Sequence, residues 1–377
     1  MKRKIRLAII GGGENSWIGH VHRTAARFDD QYEICAGVFS RDPKKSKRFG
    51  KKIGISKDRC YSNYRELAQF EKKRKDKAEV VSVMTLPGTH QKIAEFFIKN
   101  NFNVISDKAF AANLREAKSL YNAVSKNKKV LYALTHNYSA YSIVRHAKKM
   151  IEDNKIGKIE HVNVEYIQDW SKGETIKKSN AKKIFRWKLD KQHVGISTVL
   201  NELGTHAYHL MNFITGLQGK SVFADIKQVS RQIKMDDNAQ ILINFENGAK
   251  GIFWASTSTK GTIYGLRIRI FGTKGSIEWV QNDPNYLIYT PLNKATRKIE
   301  RDYNEAGFSK KFTRIKHGHP EGYLSAFANI YKEFASHLRN KNKKSRYFYP
   351  TAYEGLLTAK FIDASVRSSK IKRWVNI

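Results

Sequence analysis

The stretch AIIGGGENSWIGHVHR, Ala8 to Arg23, joins a short apolar run to an amphipathic one through three consecutive glycines. Gly11 and Gly13 take the first two positions of a G-x-G-x-x-G pattern, Ser16 takes the third, and Gly19 follows three residues later. Such a turn between a strand and a helix brings backbone close to a pyrophosphate and points free N–H groups at it. A small residue such as Ser16 still lets helix and strand pack together. The context is the one the pattern needs: a strand before, a helix after, near the start of a βαβ unit. We therefore expect Gly11, Gly12, Gly13, Ser16, Trp17 and Ile18 to form a dinucleotide-binding turn.

Outward from this turn, strand and helix patterns alternate. Ile5–Ile10, Tyr32–Phe39, Ala78–Thr85, Phe102–Ser106 and Lys129–Leu134 are near-continuous apolar runs, with helical patterns between them. Strands of this kind are buried on both faces, which implies a parallel, doubly wound sheet with right-handed crossovers. The fold class expected is α/β, with a Rossmann domain over residues 1–138. After Tyr138 the pattern changes. Val162, Val164 and Tyr166 alternate with His161, Asn163 and Glu165, and Leu266, Ile268 and Ile270 with Arg267 and Arg269. Asn247-Gly248 reads as a hairpin turn. Residues 139–377 are therefore expected to form an α+β domain with a large, open, mostly antiparallel sheet. That domain would bind substrate and carry a homodimer or homotetramer contact through its open sheet face. Whether the last helices pack back on the first domain stays open. Residues 281–323 read as a long, mostly irregular segment, expected to be a partly ordered cover over the site.

Seventy basic against 34 acidic residues give a net charge of +36. The basic runs, Lys44–Lys52, Glu71–Lys77 and Arg339–Arg346, sit far apart in sequence, lysine dominates over arginine, and no aromatic-interleaved basic motif appears. They read as solvated faces, and no specific nucleic-acid partner is expected. The two cysteines, Cys35 and Cys60, suggest neither a disulfide framework nor a metal site, so a reducing cytoplasm fits. The N-terminal apolar run is too short for a secretion signal, and no run reaches the roughly 18 apolar residues of a membrane span.

The end of the second strand tests cofactor choice. An acid that selects NAD would stand near Phe39 or Ser40. Ser40 and Arg41 stand there instead, with Asp42 next. Arg41 suits a 2′-phosphate, so the cofactor expected is NAD(P), leaning to NADP. Thr85, Leu86, Pro87 and His90 end one strand and begin a helix, and their backbone is expected to touch the cofactor.

Taken with their order and spacing, GGGENSWIGHVHR, TLPGTH, SDKAF, THNYSAY, NELGTHAYHL, FGTKGSIEW and GHPEGYLSAFANIY resemble the Gfo/Idh/MocA family of NAD(P)-dependent sugar and polyol oxidoreductases. The resemblance covers essentially the whole chain. It assigns Lys108 to the catalytic position, although Asp107-Lys108-Ala109 replaces the family's usual Glu-Lys-Pro. It also places His206 in the site, as general acid–base partner, with Glu202, in place of an aspartate, binding or orienting. Four residues separate Glu202 from His206, about one helical turn, so both can face one pocket. Asp107 and Asn137 are expected near the cofactor. Tyr138, Trp170, Trp187, Lys188 and His319 are expected near substrate, since aromatic faces stack on sugar rings and amines donate to hydroxyls.

The function expected is hydride transfer between the nicotinamide and a secondary alcohol of a sugar, polyol, inositol or anhydrosugar, with Lys108 and His206 handling the proton. No metal is required and no metal-ligand spacing appears. Two alternatives share these features: a glycosidase or lyase that oxidises its substrate transiently, and a non-catalytic nucleotide-binding regulator.

Overall fold

The computed structural model describes residues 3–170, 190–230, 234–262, 264–340 and 345–377. The chain divides into two compact units. The first comprises residues 1–111, 115–137 and 323–356, and the second residues 112–114, 138–322 and 357–377.

The first unit is built on five strands: β1 (Ile5–Gly11), β2 (Tyr32–Val38), β3 (Val80–Met84), β4 (Asn103–Ser106) and β5 (Tyr132–Leu134). They pair in parallel in the order β2-β1-β3-β4-β5. Near-continuous burial along β1 and β3 follows from their mostly apolar sequence, interrupted by Arg6 and Ser82, since both faces are covered. The linking helices are α1 (Trp17–Phe28), α2 (Pro43–Lys52), α3 (Tyr64–Lys73), α4 (Pro87–Lys99) and α5 (Leu114–Lys126). Their starts are written locally. Asp42 caps α2 by accepting from the Lys44 and Lys45 amides, with Pro43 in the first turn. Asn63 caps α3 in the same way. The order places the reversal of winding between β1 and β3, where open α/β sheets bind ligands beyond their carboxyl ends.

This unit also takes in residues from the C-terminal third. Its late helix α8 (Tyr323–Arg339) packs on α1: the Phe327 ring lies 5.2 Å from the His22 ring, and the Tyr331 hydroxyl 2.8 Å from His22 Nδ1.

The second unit carries a nine-stranded sheet. Its strands are β6 (Ile159–Ile167), β7 (Gly219–Lys227), β8 (Asn238–Phe245), β9 (Lys250–Ser256), β10 (Gly265–Gly272), β11 (Gly275–Val280), β12 (Tyr286–Pro291), β13 (Arg297–Glu300) and β14 (Val375–Asn376). Their order is β13-β12-β11-β10-β6-β9-β8-β7-β14, antiparallel throughout except for the β6–β9 pair. The alternation read from sequence is the pleat: Val162, Val164, Tyr166, Leu266, Ile268 and Ile270 are buried, and the residues between them on each strand are not. Helices α6 (Ser142–Glu152), α7 (Thr205–Thr215) and α9 (Ala352–Ile371) supply the covering layer. Tyr208 of α7 stacks on Phe361 of α9 with ring centroids 3.9 Å apart, and Phe361 meets Phe253 of β9. On the other face of the sheet Leu242 and Ile252 stand exposed and directly opposite one another.

The segment 281–323 is more regular than its sequence suggests. It contributes β12 and β13, whose Leu287 and Ile299 pair across the hairpin and are buried. Beyond them Arg301, itself buried, organises the chain: its guanidinium donates to Asn285 Oδ1 and to the backbone carbonyls of Ile315, Lys316 and His319. Two short strands separated by a turn at Asn293 carry too few alternating residues to show as a pattern. Among the described residues no helix is long and apolar enough to cross a membrane.

Candidate active site

In the first unit the candidate residues gather at the carboxyl end of the sheet. Gly11 closes β1 opposite Met84 at the end of β3, and Val83 pairs with Ser106 at the end of β4. Asp107 continues this edge, its amide donating to the Val83 carbonyl at 2.8 Å. Lys108 is therefore the second residue past β4 on the edge where the glycine turn lies, and it is half-buried. The peptide joining it to Ala109 is cis.

The turn has the crowding that a dinucleotide cradle requires. Gly11 and Gly12 adopt φ of 91° and 61°, which side chains on L residues rarely tolerate. A Cβ on Gly11 would stand 2.6 Å from the Met84 carbonyl oxygen. Gly19 rather than Ser16 makes the close helix–strand contact: a Cβ there would lie 2.6 Å from the Gly12 carbonyl carbon. Ser16 is instead the cap of α1, its Oγ accepting the Gly19 N–H at 3.0 Å. The spacing rule assigned the small-residue role to the wrong member of the pair, because a helix start needs a side-chain acceptor where the motif needs only smallness. Behind the turn the buried Arg23 guanidinium donates to the Gly12 carbonyl. Trp17 is exposed at the start of α1, and Ile18 is half-buried beside it.

Ser40 and Arg41 follow β2 as read from sequence, with Arg41 exposed. The Ser40 hydroxyl accepts from the Asp42 amide, and the Asp42 carboxylate is committed to capping α2. Thr85, Leu86 and Pro87 form the half-buried step from β3 into α4, where the Thr85 and Thr89 hydroxyls are hydrogen-bonded at 2.7 Å. His90 is wholly buried, with one ring nitrogen 2.8 Å from the Thr85 carbonyl oxygen and the other 3.0 Å from that of Ala109. Its side chain thus braces the loop rather than facing outward. Asn137 follows β5, is fully buried, and finds no hydrogen-bond partner for its side-chain oxygen or nitrogen among the described residues. A buried amide left without partners suits a ligand group that both donates and accepts. The glycine cradle and this amide together fit a nicotinamide dinucleotide.

Beneath Lys108 lies a buried polar network. Asp107 accepts from the Thr135 hydroxyl at 2.7 Å and lies 3.5 Å from His22 Nε2, and His22 continues to the Tyr331 hydroxyl, which reaches Ser82 at 2.8 Å. Burial alone would push the Asp107 carboxyl up. The hydrogen bond and charge of His22, the charge of His90 and the Thr135 hydroxyl outweigh it and hold the group down at about 2, so it is ionised at neutral pH.

The second unit brings together Tyr138, Glu202 and His206 with a residue that the sequence did not single out, Tyr166. The Tyr138 and Tyr166 hydroxyls are 2.7 Å apart, and Gln168 donates to the latter at 3.3 Å. The His206 ring meets the Tyr138 ring edge-on at 4.9 Å between centroids and that of Tyr166 at 6.1 Å. Burial, and to a lesser degree the Glu202 charge, push the Tyr166 hydroxyl up to about 12, so it remains a neutral donor. Tyr166 ends the buried row of β6, where its hydroxyl gave no sequence signal to separate it from core.

Glu202 and His206 are not joined by an ordinary α-turn. Leu200–Gly204 is a π-helical turn leading directly into α7. The wider turn nearly closes in four residues where an α-turn slightly overshoots, so both side chains still point to one side. Asp236 fixes the start of this segment, accepting from the Ser197 hydroxyl and from the Thr198 and Val199 amides. His209 is buried within α7. Trp170 is buried after β6, whereas His319 is exposed on a turn held through its carbonyl by Arg301. Trp187 and Lys188 lie outside the described residues.

Comparison with known proteins agrees with this geometry. Residues 5–135 match the family described as "Oxidoreductase family, NAD-binding Rossmann fold", and residues 144–278 the "GFO/IDH/MocA C-terminal domain". The chain is 31% identical to the uncharacterized oxidoreductase YfiI of Bacillus subtilis, over 98% of this chain and 95% of that one. It superposes on the crystal structure of an oxidoreductase from Sinorhizobium meliloti with a TM-score of 0.89 and 38% identity, covering 99% and 100% of the two chains. An inositol dehydrogenase homolog from Azotobacter vinelandii, solved with NADH and myo-inositol, gives a TM-score of 0.91 at 29% identity, covering 100% and 98%.

Proposed function

This chain belongs to the Gfo/Idh/MocA family of oxidoreductases and carries that family's NAD-binding Rossmann domain, and from that premise we propose that it is a dehydrogenase acting on a secondary alcohol of a sugar or polyol, inositols included. The observation that carries the reading is the place of Lys108, half-buried on the sheet edge that also holds the glycine cradle. The bound nicotinamide supplies a hydride acceptor or donor. In alcohol oxidation the Lys108 amine takes the hydroxyl proton as the carbinol C–H bond breaks. His206, walled by Tyr138 and Tyr166, relays or holds that proton, and Glu202 orients the neighbouring hydroxyl. Asn137 orients the cofactor through its amide. The test is a panel of sugars and inositols offered with NAD⁺ and NADP⁺, followed at the absorbance band of reduced nicotinamide. Net reduction supports the reading. Bond cleavage without net reduction sinks it in favour of a lyase or glycosidase.

The cofactor that the end of β2 suits better is NADP. Asp42 is spent on capping α2, which leaves Arg41 as the charged side chain there to meet the adenosine ribose. Arg41→Ala is expected to raise the KM for NADP⁺ about tenfold, ~1.4 kcal/mol, and to leave that for NAD⁺ nearly unchanged. Equal effects on both cofactors, or none on NADP⁺, contradict this assignment.

The open sheet face is proposed as a contact between copies of the chain. Leu242 and Ile252 form an apolar pair on strands whose other residues on that face are largely polar. Replacing both by lysine is expected to shift the chain to a smaller species in light scattering coupled to gel filtration. A wild-type chain that is already monomeric rules the contact out.

A further inference from the structure

His90 makes a pair of contacts that a neutral imidazole cannot satisfy. Its Nδ1 lies 3.0 Å from the Ala109 carbonyl oxygen and its Nε2 lies 2.8 Å from the Thr85 carbonyl oxygen. Carbonyl oxygens only accept. A neutral ring offers one N–H and one lone pair, so one of the two contacts would set lone pair against lone pair inside the protein. The ring is wholly buried, so water does not relieve the mismatch. An imidazolium offers two donors and satisfies both oxygens.

A counter-charge lies close by. From the end of β4 the buried Asp107 carboxylate faces His90, and beyond it His22 of α1 approaches the same carboxylate. Lys108 adjoins Asp107. From β5 and α8 the nearby hydroxyls are those of Tyr132 and Tyr331, which burial keeps neutral. A buried cation is costly alone but stable beside a carboxylate whose other lone pairs are hydrogen-bonded.

We propose that His90 is a positioning residue that, as an imidazolium, ties the Ala109 carbonyl to the Thr85 carbonyl and thereby fixes the turn carrying Lys108 against the loop that ends β3. The protonation state and the tie stand on the geometry alone. Their consequence for turnover rests on the dehydrogenase reading given above. The tie joins the loop beside the cofactor to the amine that moves the proton, so loosening it lowers the rate more than it weakens binding.

Neutron diffraction from deuterium-exchanged crystals of the wild-type apoenzyme at pH 7.5 reads the proposal without any variant or turnover. Deuterons on both Nδ1 and Nε2 of His90 are the expected result, and a deuteron on one nitrogen alone overturns it. Kinetics then separate positioning from mere structure. His90→Gln presents one amide group to the two carbonyls, and is expected to lower kcat about 10- to 100-fold, the range for small misplacements of a reacting group, with KM for cofactor changed less than about threefold. In the Lys108→Ala background the same substitution is expected to cost almost nothing further. Full additivity in that double-mutant cycle contradicts the positioning role, while absence of activity in every protein tested counts against the dehydrogenase reading and leaves the neutron result standing.

Discussion

Lys108→Ala is expected to lower kcat by about 10²- to 10⁴-fold, the usual weight of a positioned acid–base group, in a protein that still folds and binds dinucleotide. Binding survives because the cradle is made of backbone: Gly11, Gly12 and the Ser16-capped start of α1 need nothing from the lysine side chain. The rate is expected to fall because an alcohol proton at neutral pH requires an acceptor as hydride leaves, the role proposed for this amine. Lys108→Arg is not expected to rescue, since a guanidinium does not release its proton in this range. The measurement pairs steady-state kinetics with cofactor titration by intrinsic fluorescence. Unchanged turnover with intact binding removes the lysine from the mechanism.

Gly19→Ala has the second large effect, and it falls on a residue outside the formal G-x-G-x-x-G pattern. The added methyl would overlap the Gly12 backbone, which cannot move aside because Arg23 holds the Gly12 carbonyl from behind and β1 pairs on both sides. Helix α1 must then lift from the strand. We expect a stability loss of about 1–3 kcal/mol, as for overpacked cores, and at least a tenfold weaker grip on dinucleotide because the amides at the start of α1 are displaced. Gly307→Ala serves as control: a Cβ there meets nothing within 4 Å. Its stability is expected to stay within about 0.5 kcal/mol of wild type. Thermal melts with and without NADP⁺ separate the two terms, and a Gly19→Ala protein as stable and as tight-binding as wild type contradicts the packing account.

Sequence periodicity carried most of the fold because each sheet type leaves its own trace. The two-sided burial of β1 and β3 appears as near-continuous apolar runs, and the one-sided burial of β6 and β10 as alternation. Strands β12 and β13 left too little trace, being six and four residues long at one end of the sheet. Strand order in the nine-stranded sheet, with β6 beside β9, is set by long-range pairing that no local pattern encodes. The candidate site offered a signal in the sequence where the proposed chemistry needs a particular residue type, as at Lys108 and His206. It was hidden where tertiary contacts give an ordinary residue its role. Tyr166 looked like one more inward-facing side chain until its hydroxyl met Tyr138. His90 stood in the sequence only as part of an expected cofactor loop, with nothing local to show that each ring nitrogen meets a backbone carbonyl oxygen.

The most direct test of hydride transfer uses myo-inositol deuterated at every carbinol carbon, mixed with the enzyme and oxidised cofactor. If the protein is a dehydrogenase of this class acting on inositols, deuterium appears at C4 of the reduced nicotinamide on one face, with a primary isotope effect on single-turnover reduction. Reduced nicotinamide formed without deuterium at C4, or loss of the label to solvent with no reduced cofactor, contradicts direct transfer.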